Sequence, residues 1–574
     1  MKKFLITILL SFLMFSSKAD FISLIRADQC ETIIEFFVEE DQIRVIFEIG
    51  TTDQIHFKEL LPLEIYSEEN KGLDRTEVLT DFFNNKFIIT ADGKKQKGII
   101  QKQGFKPRVY RASLYTGVVD TTSKISKEVF YTEIVYPFKN KPDVVSITPP
   151  IEEGNKNTFA NIGFVSYHKN IPVNDLRYLG ATETLRIDWS DPWYSKFDNI
   201  NLKRHHSSSL LSFLYIDPYE VRHEVLTRIK DLDYWMDLGY GINDKIPIEE
   251  QPALKDSIAK FLIERNIVTI DGKEIVPIID RVHWVKWSLS GIQILEIPEE
   301  MDYSSAVIGV IFAYPHDSIP QEVVIDWDMF TDRINTIPNI ATDPVGPMPY
   351  TLQPDDNKLV WTNYMKNYKL PTISEVSISS YKLYVLKVLA IFIFIIGIVI
   401  LIKSDRKKRG LKMLALSMVI YMSGYFFPYQ LSIPFIQQTS FSKPEATKLI
   451  SQLLKNTYRA FDFREESDIY DKLAVSNDGD LLSEVYIQTK KGMVLESQGG
   501  IQVKVKDVEL LEVEEVTSEK EGLTYHVKWI VSGDVGHWGH IHRRINQYSA
   551  HLSIIAVDGV WKVSGIEITE EIRL

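Results

Sequence analysis

From Val388 to Ile402 no side chain is polar, and the apolar stretch from Leu383 to Ile402 is the strongest hydropathy feature of the chain. About 20 residues at about 1.5 Å each match a hydrocarbon layer about 30 Å thick, so this stretch predicts a membrane-spanning helix over 383–402. Lys403, Arg406, Lys407, Lys408, Arg409 and Lys412 follow, with Asp405 the one acid among them. A second apolar stretch runs over 411–433 and carries Tyr421, Tyr425, Phe426, Phe427 and Tyr429, an interfacial aromatic cluster. The pattern predicts a two-helix transmembrane hairpin, with 403–410 as a basic cytoplasmic loop and a lipid bilayer around 383–433. At the N-terminus, Lys2 and Lys3 precede an apolar run from Phe4 to Phe15, and Ser17 and Ala19 are small. That is the pattern of a secretory signal peptide over 1–19. The two signs agree: export of everything before the first span leaves the basic loop inside.

Between these segments the periodicity changes to that of strands. Ile43, Val45 and Phe47 alternate with polar positions, and the region 20–370 reads as two copies of one β-rich module, 20–200 and 201–370. Ile88-Ile89-Thr90-Ala91-Asp92-Gly93-Lys94 matches Ile267-Val268-Thr269-Ile270-Asp271-Gly272-Lys273. Tyr136-Pro137 matches Tyr314-Pro315, and Ile43-Arg44 matches Val221-Arg222, all at nearly one offset. Each copy predicts a short helix, over 78–83 and 254–263, before an Asp-Gly hairpin turn. The expected architecture is sandwich-like, with small helices.

Over 442–574 the helical period returns. Ser442 and Glu445 form a capping-box signature, followed by Ala446, Leu449, Ile450, Leu453, Leu454 and Tyr458 at helical spacing. Short helices are expected near 468–473 and 481–489, then long strands near 501–513, 523–531, 540–555 and 560–568. Asp558-Gly559 joins the last two. The order of elements and the closing Gly559-Val560-Trp561-Lys562 strand resemble the NTF2-like (SnoaL-type) fold, over the last quarter of the chain only. The resemblance implies an α+β cone whose concave face is an enzyme pocket, a ligand pocket or a docking surface. No Asp-His or Tyr-Asp pair stands at a recognisable position, so the resemblance brings no catalytic residue with it.

Composition narrows the function. The chain has 574 residues, a net charge of −13 and a single cysteine, Cys30. An acidic chain offers no general footprint for nucleic acid, and one cysteine excludes an intramolecular disulfide framework. The sequence has no Gly-rich phosphate loop, no Gly-x-Ser-x-Gly elbow and no His-Glu-x-x-His. The densest local chemistry is Gly536-His537-Trp538-Gly539-His540-Ile541-His542-Arg543-Arg544. In a strand His540, His542, Arg544, Asn546 and Tyr548 share one face, a candidate small-ligand surface. His537, His540 and His542 are a candidate site for zinc or copper, and the alternative is a polar hairpin with Trp538 as a packing plug. Trp189, Trp193, Tyr194 and Phe197 with Asp188 and Asp191 suggest a carbohydrate platform or, more simply, strand core around a bend. His205-His206 reads as linker, since adjacent strand residues face opposite sides.

These readings converge on a bacterial envelope protein of the cytoplasmic membrane, with most of its mass in the periplasm or extracytoplasmic space. The expected role is a non-enzymatic scaffold or interaction component that docks other envelope proteins. The alternative is a ligand- or metal-binding sensor or enzyme built on the C-terminal pocket.

Overall fold

The computed structural model describes residues 26–61, 74–109, 125–151, 158–204, 208–289, 291–377, 380–403, 407–427, 429–437, 441–463, 466–487, 502–519, 522–538 and 540–574. The expected signal peptide and His205-His206 lie outside the described residues. The chain is β-rich, with several sheets and a few helices, and it divides into two compact units. The first unit comprises the chain up to Tyr368 together with Glu496–Gln502 and Gly536–His542; the second comprises Lys369–Leu495, Val503–Val535 and Arg543–Leu574.

One strand order occurs twice in the first unit. The larger sheet of the first module runs Ile99–Pro107, Glu128–Pro137, Gln42–Gly50, Thr32–Val38, Ile162–His168, Arg177–Tyr178. In the second module it runs Ile278–Ser288, Val307–Pro315, Glu220–Arg228, Leu211–Ile216, Ile337–Asp343, Gly346–Leu352, with one more strand, Gly291–Ile294, on the outer edge of Ile278–Ser288. The single parallel pairing falls at the same place in both. So does the bulge, between Ile100 and Lys102 in one and between Ile279 and Arg281 in the other. The Asp-Gly turns match in detail. Asp92 and Asp271 take φ of 47° and 51°, followed by Gly93 and Gly272 at 72° and 76°. Each aspartate Oδ1 accepts two backbone N–H groups, from Asp143 and Val144 or from Gln321 and Glu322. Asp tolerates the left-handed region, and here its carboxylate also holds the start of a neighbouring strand, so Asp-Gly both turns the hairpin and ties it into its sheet.

Each module closes its core with a second, smaller sheet and one helix, Thr76–Asn85 or Gln251–Arg265. Leu79, Phe82 and Phe83 place three apolar side chains on one helix face, and Phe47 meets Phe57, Phe82, Phe83 and Phe87 edge-on. In the second module every residue of Glu220–Arg228 is buried. One face of its sheet packs on the helix and small sheet. The other joins Ile171 and Trp193 of the first module and Trp538.

In the second unit Ser442 and Glu445 form the capping box of the helix Lys443–Arg459. That helix packs on a sheet of four strands, Gln502–Glu519, Gly522–His537, His540–Val557 and Val560–Arg573, in chain order. The unit also carries Val385–Lys403 and Lys407–Phe426. These helices pack through small residues: a side chain on Gly410 would strike Leu401 at 2.7 Å. Among the described residues only Val385–Lys403 is long and apolar enough to cross a membrane. The expected second span over 411–433 is therefore corrected. Its helix starts with Lys407, Lys408, Arg409 and Lys412, ends at Phe426, and gives way to the strand Gln430–Gln437, which pairs back on Ser380–Tyr384.

Candidate functional site

The cluster singled out by sequence divides along its length. The side chains of His537, His540, His542 and Arg544 lie outside the described residues, and no group of metal-ligating side chains occurs among the described ones. Asn546 and Tyr548 are described and half-buried. Asn546 Nδ2 donates to Tyr548 Oη at 3.0 Å and to Glu571 Oε1 at 3.3 Å. Tyr548 stacks on Trp529 with ring centroids 5.5 Å apart, and Trp529 Nε1 donates to Tyr458 Oη. Burial pushes the Tyr458 hydroxyl up to about 12 and that of Tyr548 upward as well, so both remain protonated donors at neutral pH.

Trp538 belongs to the first unit, and it fills a seat in the second module's sheet. Its φ is 48°, the left-handed conformation of the turn between the two strands, and its side chain is 1% exposed. The indole covers Gly309, where a Cβ would lie 2.2 Å from it. The Trp538 backbone N–H donates to Glu224 Oε2 at 2.6 Å. Glu224 is fully buried, and Arg222 Nε stands 3.1 Å from its other oxygen. Burial raises the Glu224 carboxyl above its ordinary range, against the opposing pull of Arg222 and the Trp538 N–H. The seat thus combines an apolar socket, a missing side chain and a buried acceptor, which together fix one turn.

The suggested carbohydrate platform is instead a buried joint between the modules. Asp191 accepts from Arg228 Nη1 at 2.5 Å, Lys230 Nζ at 2.9 Å and its neighbour Trp193 N at 3.1 Å. Arg228 is 1% exposed and also bonds both oxygens of Asp231. Arg204 stacks over Trp193 at 3.7 Å and donates to its carbonyl oxygen. Burial lowers the Arg204 guanidinium to about 10, with Arg228 adding repulsion. Burial alone raises the Asp191 carboxyl, but Arg228 and Lys230 outweigh it and the net shift is downward. Trp189 donates to the Pro142 carbonyl and Phe197 sits in the first module's core, so the aromatic residues do not share an open face.

Two buried serine–imidazole pairs were not found by sequence reasoning. His168 Nδ1 meets Ser195 Oγ at 2.8 Å, and Ser195 Oγ also accepts the Asp188 N–H. In the second module His223 Nε2 meets Ser212 Oγ at 2.7 Å, and Asn339 Nδ2 donates to that oxygen. All of these side chains but Asp188 are buried, which denies them the substrate access a nucleophile needs. The signal that would have found the second pair is a comparison of the two repeats position by position.

Neither a scan of protein-family models nor a search of curated proteins finds a match. Among solved structures, the intermembrane space region of the chloroplast protein ARC6 aligns with 22% of this chain and 97% of its own, at 14% identity and a TM-score of 0.18. A de novo β-sheet design protein aligns with 22% of this chain and 88% of its own, at 12% identity and a TM-score of 0.13. Scores this low establish no shared fold.

Trp538→Ala should destabilise the protein by about 3–5 kcal/mol, the usual cost of emptying a core aromatic site. Gly309→Val should act in the same direction, because its branch enters the indole's space; denaturant titration with hydrogen exchange along Glu220–Arg228 measures both. A second expectation concerns pH. Burial, the leading cause in each case, lowers His168 and His223 to about 3 and His283 to about 4, from an ordinary 6.5. Between those values the unfolded chain binds more protons, so stability is full above about pH 6.5 and falls as pH drops toward 4. Melting temperatures recorded from pH 7 to 4.5 should decrease steadily; a flat profile would contradict neutral burial of these imidazoles.

Proposed function

We propose that this protein is a membrane-anchored extracytoplasmic scaffold, an interaction component of a bacterial envelope assembly that binds other envelope proteins. The observation that carries the reading is the surface of Val385–Lys403. Ile391, Phe392, Ile395 and Val399 are 54%, 62%, 54% and 48% exposed. A continuous apolar surface of this kind is costly in water and matches a hydrocarbon layer. Lys403, Lys407, Lys408, Arg409 and Lys412 at its end favour the cytoplasmic face for that end, which assigns the β modules to the opposite side. The second helix, Lys407–Phe426, packs against the first. The scaffold part of the reading is supported by how the folded mass uses its chemistry: Asp191, Arg228, Glu224 and the imidazoles of His168 and His223 are engaged inside the fold.

A second reading has its own support. Tyr458, Trp529, Tyr548, Asn546 and Glu571 form one hydrogen-bonded and stacked row in the second unit. Such a row, on an NTF2-like cone, would line a pocket for a small ligand, with zinc or copper at His537, His540 and His542 in the metal form of this alternative.

Membrane fractionation followed by crosslinking in cells separates these readings. The scaffold reading expects the full chain to resist alkaline carbonate extraction and to crosslink reproducibly to a small set of envelope proteins. Release into the soluble fraction contradicts the anchor. Quantitative recovery of an uncrosslinked chain contradicts the scaffold and favours the pocket.

A further inference from the structure

The first turn of Val385–Lys403 carries a cation of its own, Lys387. At about 1.5 Å per residue it lies about 24 Å along the helix from Lys403. The two lysines therefore stand near opposite boundaries of a hydrocarbon layer about 30 Å thick. Lys403 belongs to the basic end. Lys387 is at the other end, half-buried, and no carboxylate pairs with it among the described residues.

Its ammonium is held by rings instead. Nζ lies 4.7 Å from the ring centroid of Tyr384 and 4.4 Å from that of Tyr425. Tyr384 ends the strand Ser380–Tyr384, and Tyr425 lies in the last turn of Lys407–Phe426. The Val385 N–H donates to the Tyr429 carbonyl oxygen at 3.2 Å, which ties the start of the first helix to the segment just past the end of the second. The lysine stem runs along the second helix, where the Cβ position of Gly424 is 3.4 Å from Lys387 Cγ. Tyr421 meets Tyr425 edge-on at 5.9 Å and backs that ring.

The chemistry of the cage selects what completes it. An ammonium has three N–H donors and no acceptor. Ring faces attract its charge, by about 0.5–2 kcal/mol, but leave N–H groups in need of an acceptor. At the edge of a hydrocarbon layer the strongest acceptor for a cation is the phosphate of a lipid headgroup. Aromatic cages otherwise receive a quaternary ammonium such as choline. This cage is filled by the protein's own cation, so a headgroup's cation has no place in it and a headgroup's phosphate does. One turn further along the helix, Val388 and Leu389 are 43% and 44% exposed, followed by Ile391 and Phe392, an apolar surface for acyl chains. We propose that Lys387, held by Tyr384 and Tyr425, is a binding site for the phosphate of an anionic phospholipid in the leaflet opposite the basic end. The site rests on the membrane-anchored reading given above.

Native mass spectrometry of the full chain in detergent micelles tests this with dioleoylphosphatidylglycerol, dioleoylglycerol and inorganic phosphate as probes. The unsubstituted chain should retain phosphatidylglycerol about tenfold better than either of the others. Lys387→Gln should weaken retention of one lipid about tenfold, the usual worth of a charged hydrogen bond. Tyr425→Phe, which keeps the ring, should retain that lipid, and so should a Lys407→Gln/Lys408→Gln variant of the basic end. Equal retention of phosphatidylglycerol and dioleoylglycerol overturns the site, as does full retention in Lys387→Gln. Inorganic phosphate held as well as the lipid assigns the cage to the free ion and overturns the lipid. A phosphatidylglycerol with a photoreactive headgroup, used in bilayers on the unsubstituted chain, needs no variant to fold. Adducts at 384–387 or 425–429 support the site, and adducts confined to 403–412 reject it. Alkaline carbonate extraction run alongside separates the two levels of the argument. Release of the chain brings down the anchor and the site together, whereas a chain that stays in the membrane without a preference for the phosphate loses the site alone.

Discussion

The buried ion cluster at Asp191 is the constraint on which the first unit depends. It sits where the end of the first module meets the central strand of the second, and it brings Arg228 and Lys230 onto one carboxylate. Charges this deep cost several kcal/mol each to desolvate, and mutual attraction compensates only when geometry and extra hydrogen bonds are good. Here Arg228 is bonded by two carboxylates and the Ser304 carbonyl, so its donors are largely used. Such a joint is a poor source of net stability and a strong source of specificity. Moving either module by one residue would leave a buried charge alone. The joint therefore ties the two β modules into one compact unit.

The remaining features of that unit follow from burial on both faces of Glu220–Arg228. A strand covered on both sides must either be apolar or pair its polar groups. This one carries Arg222, His223, Glu224 and Arg228, and each is tied to a group outside its own strand or to the next residue on its face. Gly309 is part of the same solution. The neighbouring strand gives up a side chain, and the indole of Trp538 occupies the space. The two modules share strand order, bulge and turn, yet they differ in core chemistry at Ser212, His223, Asn266 and Asn339, which stand where the first module has Ile34, Val45, Phe87 and Phe164. The frame tolerates this because all four positions stay buried on the same face of their strands, so the in-and-out alternation that sets register is unchanged.

Local signals were readable from the sequence and long-range ones were not. The capping box at Ser442 and Glu445, the Asp-Gly turns and the helix faces rest on neighbours a few residues apart, and they appear in the structure as read. Arg228, Asn339 and the Trp538 backbone N–H, which Asp191, Ser212 and Glu224 respectively bond, lie 37, 127 and 314 residues away, so nothing in a local window marks these contacts. Asp191 and Trp193 allow a sugar-binding reading beside the simpler one of strand core around a bend, because aromatic and acidic residues side by side carry the same sequence signature as a buried ion joint. The second apolar helix was overextended for a different reason. Its aromatic cluster is as compatible with an extended edge as with an interface, and four cations in its first turns dilute its apolar length. At Trp538 the packing alternative was legible, but its acceptor and its glycine socket were not.

A double-mutant cycle on Asp191 and Arg228 tests the unity of the two modules most directly, read by hydrogen exchange of Glu220–Arg228 in the full chain. Asp191→Ala alone should cost about 3–5 kcal/mol, because it strands a buried guanidinium. Adding Arg228→Met should then cost little more, giving a coupling of about 2 kcal/mol or greater, within the range for residues of one network. Additive effects, with a coupling below about 0.5 kcal/mol, would mean that the modules do not depend on each other through this joint and would contradict its tying them into one unit.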